Sequence, residues 1–225
     1  MVISFCNEKG GCGKSTLSIL LSARLAEDGD EVLLIDADPQ KSVNVFMEAR
    51  NSNGLSPLFS SISKLGNTLK DEIRLMRNKF DCLIIDTGGR DTVEMRQSFL
   101  SSDVVIIPVI PSTLDENIMK YMIDIFHKSK DYNENLVGLI LPSKITTNPF
   151  VQTKELQDFK GVFEETKKES GVENLFLMES YIADRKAYKD TIRMGKSLKE
   201  FGGVETAKQE FEKFFQELVK FALKK

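Results

Sequence analysis

The sequence predicts an α/β fold, namely a single domain over residues 1–225 in which a mostly parallel, twisted β-sheet is flanked by helices. Two observations lead to this prediction. Short apolar runs alternate with longer segments of helical periodicity, and a glycine-rich turn connects the first apolar run to the first helical segment. Such alternation is typical of right-handed crossovers between parallel strands, which place ligands at the carboxyl ends of the strands. A chain of 225 residues is long enough to bury a large core in one domain.

The strands are predicted from compact apolar runs bounded by turn residues. They lie at residues 2–6, 31–35, 82–85, 104–109, 136–141 and 175–177, with a short edge strand at 58–59 inside the turn-rich stretch 51–64.

The helices are predicted from apolar residues spaced three and four apart. The first begins at Ser15 and is closed by Gly29, which suits a C-terminal cap, and the second extends to about residue 50. Further helices are expected at residues 68–78, 114–128, 152–169 and 205–223. The last helix carries an apolar stripe that predicts core packing and consists of Phe211, Phe214, Leu218 and Ala222.

Composition excludes several classes of protein. The net charge of −3 argues against a protein coated in positive charge for nucleic acid. No stretch approaches the roughly 18 to 20 apolar residues that span a bilayer. No signal peptide is expected, because Met1 leads straight into the first strand. The three cysteines show no paired spacing, which indicates a reducing compartment and predicts a cytoplasmic protein.

The run KGGCGKST, after the first strand, predicts a phosphate-binding loop. Its glycines allow a sharp turn that points backbone N–H groups at anionic oxygens, and the following helix presents its positive end to them. Lys14 is expected to bind the β- and γ-phosphates, and the Ser15 hydroxyl to ligate Mg²⁺. Cys12 is interpreted as a small filler of the loop, although a thiol at a helix N-terminus also allows redox control. The predicted nucleotide-binding residues are Gly10, Gly11, Cys12, Gly13, Lys14, Ser15 and Thr16.

The loop departs from the usual G-x-x-x-x-G-K-[ST] pattern at its first position. Glu8 stands where the pattern has glycine, and Lys9 is added before the glycines. Lys9 is therefore an extra cation near the phosphates, available to this chain's nucleotide or to that of a neighbouring subunit.

Two acidic motifs end later strands at the same edge of the predicted sheet. DADPQ carries Asp36 and Asp38, and FDCLIIDTGG delivers Asp86 followed by Gly88 and Gly89. A carboxylate there can hold Mg²⁺, usually through its water shell, and the glycines allow a switch segment to move with the γ-phosphate. Taken singly, each aspartate also suits a helix N-cap or a turn.

The segment 184–199 is rich in basic residues. Composition alone favours a solvated helix face, with a DNA-binding patch as the alternative.

These motifs, followed by SDVVIIPVIPSTLD at residues 102–115, resemble the deviant Walker A ATPases. Within them the chain is similar to the ParA group of DNA-partition ATPases, and especially to short plasmid-type members such as ParF. The resemblance covers nearly the whole chain and is most specific in residues 1–115. One departure is DTGG, because many relatives have a proline soon after the aspartate.

The resemblance implies a nucleotide-dependent homodimer with ATP and Mg²⁺. Lys9 of each subunit would reach the phosphates of the other, and Lys14 would bind its own. Asp38 matches the position that orients the attacking water, and Ser15 and Asp86 would organise Mg²⁺, with Asp36 in its outer shell.

The resemblance also implies partners. ATP-bound dimers would bind nonspecific DNA, be associated with the nucleoid, and be stimulated by a centromere-binding protein of the ParB or ParG kind. DNA contacts are then expected from Arg185, Lys186 or Lys189.

Two alternatives stay open on the sequence. A MinD-like ATPase would use the C-terminal helix to bind membrane, although four glutamates in that helix would be repelled by anionic lipid and argue against a membrane partner. A ligase of the dethiobiotin-synthetase kind would share the loop but would not need Lys9.

Overall fold

The computed structural model describes residues 1–112 and 116–222. The strands over these residues are β1 (Val2–Phe5), β2 (Val32–Ala37), β3 (Ser60–Ser63), β4 (Cys82–Thr87), β5 (Val104–Val109), β6 (Val137–Ile145), β7 (Leu175–Leu177) and β8 (Ile182–Ala183). The helices are α1 (Lys14–Glu27), α2 (Ser42–Ser52), α3 (Leu69–Met76), α4 (Val93–Ser101), α5 (Glu116–Lys130), α6 (Pro149–Ser170), α7 (Lys186–Arg193) and α8 (Glu205–Ala222).

The eight strands form one sheet in the order β3-β2-β4-β1-β5-β6-β7, with β8 paired to the far end of β6. Every pairing in the sheet is parallel. The carboxyl ends of β2, β4, β1 and β6 therefore meet at one edge, and the register places Asp36 directly opposite Asp86. The predicted α/β fold is confirmed.

Helices cover both faces of the sheet, which explains why its central strands read as apolar runs rather than alternating ones. On one face α1 and α8 pack together, and Leu20, Phe211 and Phe214 are buried there. On the other face Phe99 and Phe126, from α4 and α5, lie in a second core cluster. The predicted core stripe of α8 is confirmed for its first three residues, whereas Ala222 is only partly buried.

Strands β5 and β7 have the predicted bounds, and most other elements differ by a few residues at their ends. The edge strand is an exception, because it lies at Ser60–Ser63 and not at residues 58–59. Its sequence, SSIS, contains a single apolar residue, and an edge strand buried on neither side needs no apolar pattern. The first residues of the helix predicted at 114–128, and residue 223 of the last helix, lie outside the described part of the chain.

Two elements were not predicted: β8 and α4. Helix α4 begins at an N-cap in which the Thr92 hydroxyl accepts a hydrogen bond from the Met95 N–H at 3.2 Å. It buries only Met95, Ser98 and Phe99, so its apolar periodicity is weak. Helix α7 lies within the basic segment 184–199, for which composition favours a solvated helix face.

Candidate nucleotide-binding site

The glycine-rich loop connects the end of β1 to the start of α1 at the middle of the sheet. Gly11 and Gly13 have φ values of 78° and 104°, a left-handed conformation that costs glycine little and other residues more. Gly13 is also the N-cap of α1, so the loop backbone turns directly into the positive end of the helix. The local structure is therefore the phosphate-binding geometry that the sequence predicts.

Two side chains that the sequence analysis did not single out fasten this loop to neighbouring strands. Asn7 is buried, donates from Nδ2 to the Pro108 carbonyl at 2.7 Å, and accepts the Lys9 N–H at 2.8 Å. Ser143, at the end of β6, donates from Oγ to the Cys12 carbonyl at 2.7 Å. Asn7 could have been identified from the sequence, because it is a polar residue directly after an apolar strand. Ser143 could not, because it lies 131 positions from its partner Cys12 and no local pattern marks it.

Lys14 is almost completely buried beneath the loop. Its ammonium donates a hydrogen bond to the Lys9 carbonyl at 2.9 Å and lies 3.8 Å from the Cys12 sulfur. A phosphate entering the loop would compete with that carbonyl for the lysine, which is a favourable exchange for an ammonium. Lys9 itself is partly exposed, and Gly10 and Gly11 beside it are exposed.

Burial raises the pKa of the Cys12 thiol, and the nearby Lys14 only partly opposes this effect. A protonated, buried thiol is a poor nucleophile. The structure therefore supports the interpretation of Cys12 as a filler of the loop.

Asp86 is the most unusual acid in the protein. It is fully buried at the end of β4, and neither carboxylate oxygen accepts a hydrogen bond from the residues that the structure describes. Burial raises its pKa to about 7; Ser15 and Lys14 act in the opposite direction, and Asp36 and Asp38 add to the increase. The Ser15 hydroxyl is thus close enough to lower this pKa without making a well-formed hydrogen bond.

A magnesium ion bound with nucleotide fits these residues. A buried carboxylate without a hydrogen-bond partner, beside the Ser15 hydroxyl, is a donor set that Mg²⁺ completes with phosphate oxygens and water. When bound, the ion would neutralise phosphate charge and the charge on Asp86.

Asp36 and Asp38 have different surroundings. The Asp36 side chain is buried and accepts the N–H groups of Asp38 and Val43, at 3.1 and 3.3 Å, so it holds the loop that leads into α2. Burial is also the main cause that raises its pKa. Its outer-shell role toward Mg²⁺ stays a prediction. Asp38 is partly exposed, accepts the Gln40 N–H at 2.9 Å, and lines the cleft above the phosphate loop.

Gly88 and Gly89 lie in close contact with neighbouring loops at this edge. A Cβ atom on Gly89 would lie 2.7 Å from Gly10 Cα and 2.8 Å from Gly10 N. A Cβ atom on Gly88 would lie 3.4 Å from Asp38 Oδ1. The glycines therefore allow close contact between the segment after β4 and the phosphate loop, in addition to any freedom to move.

The loops after β1, β2 and β4 enclose a cleft of about 660 Å³, within the size range of small-molecule sites. Its lining brings together the predicted residues Gly10, Lys14, Ser15, Thr16 and Asp38. Two lysines from elsewhere in the chain, Lys144 and Lys189, complete it.

Comparison with known proteins agrees with this geometry. The family described as the CobQ/CobB/MinD/ParA nucleotide binding domain matches residues 3–205. The chain belongs to this family. It is an ATPase of the ParA/MinD type, which confirms the resemblance drawn from the motifs.

Several individual proteins are similar to this ParA/MinD-type ATPase in sequence or in fold. The protein ParA of Rhizobium radiobacter is 24% identical over 201 residues, which cover 88% of this chain and 84% of that protein. An ATP complex of an McdA variant from Cyanothece has a TM-score of 0.74 at 20% identity and covers 97% of this chain and 96% of its own. A plasmid partition protein from Borrelia burgdorferi has a TM-score of 0.63 at 20% identity, with 96% and 98% covered. At such identities the two structures establish the fold alone.

The structure places the predicted DNA-contacting residues of the ATPase in three different settings. The Arg185 guanidinium pairs with Glu210 at 3.0 Å, and that glutamate is buried. The Lys186 side chain is 86% exposed. Lys189 pairs with Asp184 at 3.1 Å and lines the nucleotide cleft. Lys186 is therefore the residue of the three that is best placed to meet a phosphate backbone.

The apolar face of α8 packs into the core of the ATPase. Phe211, Phe214 and Leu218 are at most 2% exposed, so this face is already occupied within the monomer. Among the described residues, no helix has the length and apolar character needed to cross a membrane.

Proposed function

We propose that this ATPase partitions or positions DNA. In this proposal two ATP-bound subunits form a homodimer, the dimer binds nonspecific DNA, and a centromere-binding protein of the ParB or ParG kind stimulates hydrolysis. The nucleotide then acts as a timer for assembly, and the protein works in the cytoplasm on the nucleoid. The ParA protein of Rhizobium radiobacter and the Borrelia burgdorferi plasmid partition protein support the partition role by their likeness to this chain.

The observation that carries the proposal is the position of Lys9. Lys14 is buried and turned toward the loop's own backbone, whereas Lys9 begins the loop at its partly exposed outer side, next to the exposed Gly10 and Gly11. In this proposal Lys14 binds the nucleotide of its own subunit, and Lys9 lies on the side that a second subunit would approach. A monomeric ATP-dependent enzyme has no evident use for the second lysine.

The chemistry proposed is phosphoryl transfer to water, which depends on positioning and on charge neutralisation. Lys14 binds the β- and γ-phosphates, and Ser15 and Asp86 hold Mg²⁺. Asp38 orients the attacking water, a role that its place in the cleft and its hydrogen bond from the Gln40 N–H support. Intrinsic turnover should be slow until a partner stimulates it, because the ATP-bound state must persist long enough to bind DNA.

The DNA contact is proposed for the exposed side of α7. Lys186 and Arg193 have side chains that are 86% and 78% exposed, and each lies within 4 Å of Asp190, which leaves their ammonium and guanidinium groups partly in solvent. Contacts of this kind bind phosphates without reading sequence.

Three variants test the proposal by light scattering, by DNA mobility shift and by ATPase assay. Asp38→Ala should bind ATP, form a stable dimer and shift nonspecific duplex DNA, yet not turn over. Lys9→Gln should bind ATP but remain a monomer and fail to shift DNA. Lys168→Gln, on exposed α6, is the matched control for loss of a lysine charge and should behave like the unmodified protein.

Partner stimulation is tested by measuring the ATPase rate with nonspecific DNA, with a candidate centromere-binding protein, and with both. A synergistic increase supports partition. A rate indifferent to all of them, but dependent on a small carboxylic acid, would instead favour the ligase alternative.

A further inference from the structure

A lysine that none of the motifs contains lines the nucleotide cleft. Lys144 lies near the end of β6 and faces the cleft together with Gly13 and Lys14 of the phosphate loop. It is partly buried, and it forms no ion pair with any residue in the two described ranges, 1–112 and 116–222. By contrast, Lys189 in the same cleft is paired with Asp184.

The backbone at Lys144 is held in an unfavourable conformation. Its φ value is 55°, in the left-handed region, although it lies inside a strand and is neither glycine nor asparagine. The pairing of β6 with β8 is irregular at this point, because Ser143 is opposite Ile182 while Ile145 is opposite Ala183. Lys144 is therefore the extra residue of a bulge, a feature that re-aims a side chain and often lies beside an active site.

The same bulge is fastened to the phosphate loop. The preceding residue, Ser143, donates its hydroxyl hydrogen bond to the Cys12 carbonyl, and a Cβ atom on Gly13 would lie 3.3 Å from that hydroxyl oxygen. The position of Lys144 is thus fixed relative to the loop residues that hold the phosphates.

The order of the strands decides which part of the nucleotide Lys144 can reach. The loop after β1 has β4 and β2 on one side and β5 and β6 on the other. Asp38 directly follows β2 and Asp86 lies near the end of β4, whereas Lys144 lies near the end of β6, on the other side of β1. Lys144 is therefore on the opposite side of the phosphate loop from Asp38 and Asp86, the acids expected near the terminal phosphate.

From these observations we infer that Lys144 is a nucleotide-binding residue that contacts the part of the polyphosphate that ADP and ATP share. It strengthens binding of both nucleotides equally and takes no part in cleavage of the terminal phosphate. This inference rests on the nucleotide site and is independent of the proposed role in DNA partition.

The test compares the nucleotide affinities of Lys144→Asn and Lys144→Arg. Each variant is titrated by calorimetry with ADP and with a non-hydrolysable ATP analogue, both in the presence of Mg²⁺. Asparagine tolerates the left-handed conformation but lacks the charge, and arginine keeps the charge. The Lys144→Asn protein should bind both nucleotides about 10- to 100-fold more weakly, as expected for one lost charge-assisted hydrogen bond, with nearly the same factor for each. KM for ATP should rise while kcat at saturating ATP is retained, and Lys144→Arg should bind within about threefold of the unmodified protein.

The thermal midpoint without nucleotide separates binding from folding. It should not fall in Lys144→Asn, because asparagine relieves the backbone conformation. Unchanged affinity in Lys144→Asn would overturn the inference, as would a loss confined to the ATP analogue or an equal loss in Lys144→Arg. If Lys9→Gln abolishes dimerisation while Lys144→Asn leaves ADP binding intact, the proposed function stands and this inference fails.

Discussion

Gly89 lies against Gly10 so closely that a Cβ atom on Gly89 would be 2.7 Å from Gly10 Cα. The segment after β4 thus rests directly on the phosphate loop, backbone against backbone. A side chain at residue 89 would clash with main-chain atoms of the loop and not with a flexible side chain. This contact physically connects the residues that follow Asp86 to those that hold the phosphates.

Gly89→Ala is expected to impair nucleotide binding. The added methyl group must displace the loop, at a cost of about 1–3 kcal/mol for an overpacked contact. Titration with a fluorescent ATP analogue should show affinity at least about tenfold weaker, which corresponds to about 1.4 kcal/mol. Gly161→Ala is the matched control, because a Cβ atom at this position in α6 meets nothing within 4 Å. That variant should bind normally and be slightly more stable. Equal affinities in the two variants would show that the loop yields without cost.

Asp86 predicts an unusual pH dependence of stability. Burial raises its pKa from an ordinary value of 3.8 to about 7, so the native state holds the proton more tightly than the unfolded chain. The resulting stabilisation is fully present below about pH 4 and is lost as the pH rises toward 7. Asp86→Asn keeps the shape and removes the charge. Without Mg²⁺ and nucleotide, its thermal midpoint should therefore exceed that of the unmodified protein by an amount that grows from pH 5 to pH 8.

The same comparison in the presence of Mg²⁺ and ATP should reverse in sign. A charged Asp86 is then compensated by the ion, so the unmodified protein gains thermal stability that Asp86→Asn does not. A difference in midpoint that stays constant with pH would mean that Asp86 is not protonated in the nucleotide-free protein.

Lys186 and Arg185 should respond differently to substitution, although they are adjacent. Lys186→Glu is expected to weaken DNA binding by the ATP form about tenfold at low salt and to reduce its salt dependence, with the folding stability unchanged. Arg185→Gln instead leaves Glu210 buried without its cation, and should lower the free energy of unfolding by about 2–4 kcal/mol. Lys160→Glu, on exposed α6, gives the same charge change as a control for Lys186→Glu. Unaltered DNA binding in Lys186→Glu would remove α7 from the proposed interface.

Arg50 should be the most important polar side chain for stability outside the nucleotide site. It is 3% exposed, makes two hydrogen bonds of 2.7 and 2.9 Å to the Glu200 carboxylate, and donates to the Gly195 carbonyl at 2.9 Å. Arg50→Met leaves these acceptors unpaired and should reduce the free energy of unfolding by about 3 kcal/mol in urea titrations. Arg74→Met removes an ion pair whose side chains are 80% and 67% exposed, and should change stability by less than about 1 kcal/mol. Similar losses in the two variants would contradict this ranking.

Much of the site followed from local sequence. The phosphate loop was predicted because strand, glycines and helix are consecutive. Asp36 and Asp86 were assigned to one edge because parallel strands bring their carboxyl ends together, and the register confirms it. Helix α4 was not predicted because it has little apolar periodicity, and strand β3 was predicted two residues too early because it is an edge strand with a single apolar residue.

The fold class, the phosphate loop and its accompanying acids could be predicted from the sequence, because each depends on short-range pattern and on the general geometry of parallel sheets. The surroundings of these residues depend on packing in three dimensions: the Asn7 and Ser143 hydrogen bonds, the contact of Gly89 with Gly10, the pairing of Arg185 with Glu210, and the presence of Lys144 and Lys189 in the cleft. These contacts join residues that are far apart in the chain. Which residues meet depends on how the helices pack on the sheet, and local sequence propensity does not predict this packing.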